Sequence, residues 1–400
     1  MQIFGNRYII RSIRLIKSIK YFIDLSIKNQ IKYLLYYYYK YYFCFMVSEI
    51  NKIKSIPFFF IIARPRSGTT LLRTLLDAHS NIIIPIESPL ILHLSGKYKN
   101  IRVWNKKKLT DFYNDLLNVL DFNTWPVDHE KLRKDILECE GKTSFSSICK
   151  VVHYNYISSY KKNEIKYLGD KNPRHSNTMP LIFKLFPHAK YIHLVRDYRD
   201  HILSMTKTRL ANISNIVVIA YRWKYSAKKM DKFKKKYPGS FFTIRYEDLV
   251  NNPSCYLKNI CDFLEIPYEE TMLDSYRNVE EAYKTYTKER IAFYGKLTEP
   301  VTNSRSNLWQ TEMKEIDIKI ADSIAGKYAG NLGYIRKYKK YGILFYLKIL
   351  PGITVAKFVY FLHNSLGIFP YGIKSRIKIF ISLYLKRIFL KIVSLFIKFR

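Results

Sequence analysis

Residues 58–70 read FFFIIARPRSGTT and run directly into LLRTLLDAH. Five large apolar side chains in a row leave no polar face for solvent, which is the pattern of a strand covered on both sides in a parallel sheet. Leu71, Leu72, Leu75 and Leu76 then fall on one helical stripe, so a helix follows the strand. The loop between them is nearly the phosphate-binding pattern GxxxxGK[ST]. It departs from that pattern in three ways: Ala63 replaces the first Gly, Thr69 stands where the Lys belongs, and Arg64 and Arg66 sit inside the loop. A strand, a turn and a helix N-terminus still bring converging N–H groups and a positive dipole end to Ser67, Gly68, Thr69 and Thr70. That is an anion site. With no Lys for the β and γ phosphates, and no apolar run ending in an Asp for Mg²⁺, a smaller phosphate-like group held without metal fits better than a nucleoside triphosphate.

The strand–helix alternation continues. AKYIHLVRD (189–197) reads as a second apolar strand followed by YRDHILSMTKTRLA, and SFFTIRYEDL (240–249) as a third, followed by a helix starting near NNPSCYLKNICDFL. The fold class expected is α/β, a P-loop-like parallel sheet flanked by helices with its ligand at the C-terminal strand edge. No internal repeat and no Pro/Gly/Ser-rich linker interrupts it. The division expected is a basic, apolar N-terminal segment (1–54), a catalytic domain (55–340) and basic amphipathic C-terminal helices (341–400).

The formal charge of +36 is extreme, and its placement matters more than its size. Residues 1–54 carry net +8 and residues 341–400 net +10 with no acid, so half of the excess is terminal. The remainder is what a composition rich in Ile, Lys, Tyr and Asn would add as solvated faces, and no nucleic-acid partner is expected. Lys40 interrupts YLLYYYYKYYFCFMV (33–47), and Lys or Arg recurs every few residues beyond 341, so neither end offers a clean membrane span. Apolar stretches with interspersed cations instead suit helices lying on an anionic membrane surface, or helices packed on the catalytic domain. Five cysteines without a CxxC pair signal neither a disulfide framework nor a zinc site. No removable signal peptide is evident. A reduced, cytoplasmic location is expected, with peripheral attachment to a membrane left open.

In YIHLVRDYRDHILSM the apolar strand ends at Arg196, and Ser204 follows eight residues later in a helix. Together with RPRSGTTLLRTLLDAH, this pair resembles the sulfotransferase family over roughly Phe58 to Trp309. The closest likeness is to the branch of tyrosylprotein and bacterial glycan-type sulfotransferases, carried by RSGTTLLRTLLDAHSN, Glu87, GDKNP and LFPHAKYIHLVRDYRD. The resemblance implies 3′-phosphoadenosine 5′-phosphosulfate (PAPS) as cosubstrate and no metal. It places Arg66, Ser67, Gly68, Thr69 and Thr70 at the 5′-phosphosulfate and Arg196 and Ser204 at the 3′-phosphate. It further implies Glu87, in PIESP, as the base and Lys171, in YLGDKNPRHS, beside the bridging oxygen. Arg66 would join Glu87 and Lys171 in the chemistry. Tyr246 would lie near the adenosine end, and Ser304 or its neighbour Arg305, in TNSRSNLW, would clamp the nucleotide from outside. His79, His93 and His175 form no triad.

The acceptor implied is a hydroxyl on a glycan, glycolipid or peptide. With no disulfide or luminal signal, a saccharide or glycolipid is preferred over protein tyrosine. A P-loop kinase or NTPase, and a binding protein without catalysis, remain the alternatives. The segment from Glu87 to Gly169, with LTDFYNDLLNVLDFNTW, is expected to set acceptor choice.

Overall fold

The computed structural model describes residues 49–207, 215–283 and 295–365. The chain divides into two compact units, Met1–Ile53 and Lys54–Arg400. Of the first, only residues 49–53 are described, and they are helical. The expected N-terminal segment therefore lies almost wholly outside the described residues, as does the C-terminal segment beyond 365. All that follows concerns the second unit.

Its centre is a five-stranded sheet in the order β2-β5-β1-β6-β7, formed by β1 (Phe58–Ile62), β2 (Ile82–Ile83), β5 (Tyr167–Lys171), β6 (Lys190–Val195) and β7 (Phe241–Arg245). Every pairing in it is parallel. A separate antiparallel pair joins β3 (Val103–Trp104) and β4 (Gly141–Lys142). The apolar run FFFII sits in the middle strand, and all five of its residues are buried. Alternation sends Phe59 and Ile61 to one face, where they meet Leu72, Leu75 and Leu264. Phe58 and Phe60 face the other way, against Phe186, His153, His175 and Tyr191. The expected α/β parallel sheet is what the chain forms.

Six helices matter for the site: α1 (Thr69–Asp77), α2 (Tyr198–Thr206), α3 (Ile216–Lys236), α4 (Pro253–Leu264), α5 (Glu315–Ile324) and α6 (Ile343–Ser365). The helices α1 and α4 cover the Phe59 face. A second core joins α2, α3 and α5 through Tyr198, Ile202, Trp223, Ala321 and Ile324, and α6 adds Ile349 to it. The opening of the expected C-terminal segment thus packs on the sheet domain. No helix among the described residues is long and apolar enough to cross a membrane.

Between β2 and β5 the chain makes one long excursion, with helices at Leu90–Tyr98, Lys106–Leu117, His129–Leu137 and Phe145–Tyr154 and the β3–β4 pair. Three of these four helix starts are capped by side chains: Asn105, Asp128 and Ser144 each accept from backbone N–H groups of the first turn. Cys139, Cys149, Cys255 and Cys261 are free thiols, and Cys44 lies outside the described residues.

Candidate active site

Each of the five parallel strands delivers one predicted site element at its C-terminal end. Glu87 follows β2, Lys171 ends β5, the anion loop follows β1, Arg196 follows β6 and Tyr246 follows β7. Lys171 pairs in register with Ile61, two residues before the loop begins at Ala63. This common edge is the place where a parallel α/β sheet exposes its ligand-binding crevice.

The loop's shape depends on two left-handed residues, Arg66 at φ 65° and Gly68 at φ 89°. At Gly68 no other residue fits, because an added Cβ would stand 2.4 Å from the Tyr246 ring. Gly68 caps α1, and Thr69 and Thr70 open its first turn with their N–H groups unclaimed by helix carbonyls. A cleft forms over this turn, lined by Arg66, Gly68, Thr69, Thr70, Arg196 and Tyr246. Residues 297–305 close its other side, Ser304 and Arg305 among them. Ser67 is buried beneath.

Arg196 is the cleft's fixed cation. Its Nη1 donates to the Arg66 carbonyl at 3.0 Å and its Nη2 to the Arg305 carbonyl at 2.5 Å. Its Nε is buried and meets no hydrogen-bond partner. A buried N–H of a guanidinium left without a partner is costly unless a ligand supplies one, and an anion on this wall would do so. Arg196 also lies over the Tyr246 ring, 4.8 Å from its centroid. Ser204 reaches the same cluster, accepting from Arg66 Nε at 3.1 Å. The two loop arginines diverge: Arg66 faces the cleft, whereas Arg64 lines a small cavity behind it with Ser67, His193 and Trp223. Burial, reinforced by Arg222, pulls the Arg64 guanidinium down to about 10.

Glu87 and Lys171 form a pair of their own. Lys171 Nζ donates to Glu87 Oε2 at 2.9 Å, with the Lys side chain 3% exposed and the Glu side chain 34% exposed. An ammonium that ends a central strand, 3% exposed, is held in one place as a lysine in a solvated turn is not. The strand itself is hard to read from YLGDK, since Gly and Asp are poor strand formers.

Several residues that hold the site escape sequence reading. Arg73 is fully buried on α1, bridging Asp77 at 3.0 Å, the Ile84 carbonyl and the Tyr156 hydroxyl. Asp77 in turn accepts from the Ile84 N–H at 3.0 Å. Together they fix the exit of β2 three residues before Glu87. An i,i+4 Arg–Asp pair looks like a surface pair in sequence. Its burial beside Leu72 and Leu76 was the available signal. Likewise Asp200 on α2 accepts from the Asn307 N–H at 2.7 Å and the Trp309 N–H at 2.9 Å, and Arg199 lies 3.5 Å over the Trp309 ring. These contacts fasten the segment carrying Ser304 and Arg305 to the second strand–helix unit. Of the three histidines named from sequence, His79 and His175 are internal, His79 Nε2 meeting the Pro267 carbonyl at 2.7 Å and His175 Nε2 meeting Asp170 at 3.0 Å, whereas His93 is exposed.

Comparison with known proteins places these features in a family. The chain is 24% identical over 288 residues to protein-tyrosine sulfotransferase A of Caenorhabditis elegans, covering 68% of this chain and 66% of that protein. It is 26% identical over 225 residues to protein-tyrosine sulfotransferase 1 of Danio rerio, covering 55% and 56%. The chain therefore spans less than two thirds of the length of these relatives. Among solved structures, the sulfotransferase domain from the Synechococcus PCC 7002 olefin synthase aligns at 23% identity and a TM-score of 0.48, covering 67% of this chain and 94% of that domain. A model described as the sulfotransferase family matches residues 57–270, from the first buried strand to just beyond α4. With more than half of its length inside that match, the chain belongs to the sulfotransferase family.

Proposed function

We propose that this protein transfers the sulfuryl group of PAPS to a hydroxyl acceptor. The observation that carries the reading is the shared strand edge. It sets an anion loop, a buried guanidinium with an unsatisfied Nε, and a carboxylate–ammonium pair side by side. The loop N–H groups and Arg66 would hold the 5′-phosphosulfate, Arg196 and Ser204 the 3′-phosphate, and Tyr246 and Ser304 the remaining walls of the cleft.

Sulfuryl transfer resembles phosphoryl transfer in needing positioning and charge stabilisation more than covalent help from the protein. The bond between sulfur and the bridging oxygen breaks while a bond from sulfur to the acceptor oxygen forms. The acceptor proton passes to Glu87, and charge appearing on the leaving 5′-phosphate is met by Lys171. In the free enzyme these two side chains neutralise each other. Substrates entering between them would draw the carboxylate to one end of the reaction axis and the ammonium to the other.

The acceptor preferred on the sequence is a saccharide or glycolipid hydroxyl, reached in a cytoplasmic setting. The names of the relatives favour a second reading, the phenol of a peptide tyrosine. Purified protein given PAPS labelled in its sulfuryl group should sulfate one acceptor class, read by assaying glycolipids, saccharides and tyrosine peptides in parallel. It should also bind adenosine 3′,5′-bisphosphate in EDTA. Glu87→Gln should lower kcat roughly 10²- to 10⁴-fold and leave bisphosphate affinity near wild type. Tight binding of ATP with Mg²⁺ and none of the bisphosphate would overturn the proposal.

A further inference from the structure

The helix α6 has two apolar faces, and among the described residues only one packs on protein. The inner face carries Phe345, Ile349, Gly352, Ile353, Ala356 and Tyr360, at the spacing of one helical stripe. Ile349 and Ala356 are buried, Gly352 lies against Val217 of α3, and the Tyr360 ring centroid is 3.5 Å from that of Tyr225. The outer face carries Ile343, Leu347, Leu350, Phe358 and Phe361, which are 77%, 59%, 54%, 50% and 65% exposed. At 3.6 residues per turn these five fall within an arc of about 80°, centred roughly 140° around the helix from the packed stripe. An exposed apolar stripe of this length marks a contact surface.

Charge says what the contact is. After Asp322 the sequence contains fifteen Lys or Arg and no acid through residue 400. Lys348 and Lys357, both exposed, flank the outer stripe on opposite sides. Nearby, Lys228, Lys229 and Lys232 of α3 line a recess with Tyr225 and Tyr360. A partner must therefore be apolar within and anionic at its surface. A convex face one helix wide supplies far less than the roughly 800 Å² per side that a stable protein contact takes, whereas a bilayer moulds around it.

We propose that the outer face of α6 lies in the plane of an anionic lipid surface. Ile343, Leu347, Leu350, Phe358 and Phe361 enter the acyl boundary, and Lys348 and Lys357 sit among headgroups. This surface is independent of the chemistry proposed above, so either can stand without the other.

The test uses the full chain and flotation on vesicles of phosphatidylcholine alone or mixed with phosphatidylserine. Wild type should float with the mixed vesicles, less so as salt rises, and retain a salt-resistant fraction. Combining Leu347→Glu, Leu350→Glu and Phe358→Glu should lower binding at least about tenfold, with an unchanged melting curve. Combining Lys348→Gln and Lys357→Gln should lower it by about fivefold per lysine, removing part of the salt dependence. If the glutamate variant misfolds, the lysine variant, altered only at exposed positions, gives the answer alone. The proposal is overturned if wild type does not float, or if these variants bind vesicles as wild type does. It is equally overturned if light scattering shows that the glutamate variant dissolves an oligomer while vesicle binding is unchanged.

Discussion

Asp200 touches no predicted ligand atom, yet its carboxylate holds the outer wall of the cleft by accepting from Asn307 and Trp309. Burial raises its carboxyl above the usual range. Asp200→Asn keeps the shape but turns one acceptor into a donor, so one of the two N–H groups loses its partner at about 1–2 kcal/mol. The expected outcome is a roughly 5- to 30-fold rise in KM for PAPS and a parallel loss of bisphosphate affinity, with kcat at saturation little changed. A residue that only supported the fold would lower the melting temperature without that split. The anion loop, Arg196 and Ser204 were legible in sequence because short motifs at fixed offsets encode them. Asp200 was not, since its partners lie more than a hundred residues away and offer backbone N–H groups, which every residue has.

At the scale of elements, the turn bearing Glu87 is only as firm as its attachment to α1. Arg73 and Asp77 make that attachment inside the core, with no water to replace either. Arg73→Ala would leave the Asp77 charge buried with one cation fewer, although Lys162 also reaches it at 3.5 Å. A loss of about 3–5 kcal/mol is expected, measured as a shift in the urea midpoint at constant slope. A loss under about 1 kcal/mol would show that Lys162 alone carries the neutralisation. Strands β1 and β6 were readable because continuous apolar runs have few other uses. Strand β5 was not, because YLGDK takes its strand state from being hydrogen-bonded between β2 and β1 rather than from its own side chains. The apolar content of α6 was visible in sequence, but it lies on both faces, and which of them meets protein depends on Val217 and Tyr225 of α3.

For the molecule as a whole, three buried histidines contribute to the response to acid. Burial, helped by Lys234, takes His193 down to about 4. Burial likewise lowers His153, and lowers His201 well below its ordinary value, with Arg64, Arg196 and Arg66 adding to the effect at His201. In the unfolded chain each titrates near 6.5. Between about pH 6.5 and 4 the unfolded state therefore binds protons that the native state refuses, so stability falls as pH falls through that window. His193, neutral down to about 4, contributes a slope approaching about 1.4 kcal/mol per pH unit below 6.5, and the other two add in the same direction. Urea titrations from pH 8 to 4.5 should show this decline, and His193→Gln should reduce the slope by about one proton. A flat profile down to pH 5 would mean that these rings are protonated in the native state. The strand order has a further consequence, for where the chain can be lengthened. Strands β2 and β5, with the Glu87–Lys171 pair, stand on one side of β1; β6 and β7, with Arg196 and Tyr246, stand on the other. The whole excursion from residue 88 to 166 leaves and returns on the first side alone. Residues added within that stretch would therefore enlarge the molecule beside the Glu87–Lys171 pair and leave β6 and β7, with Arg196 and Tyr246, untouched.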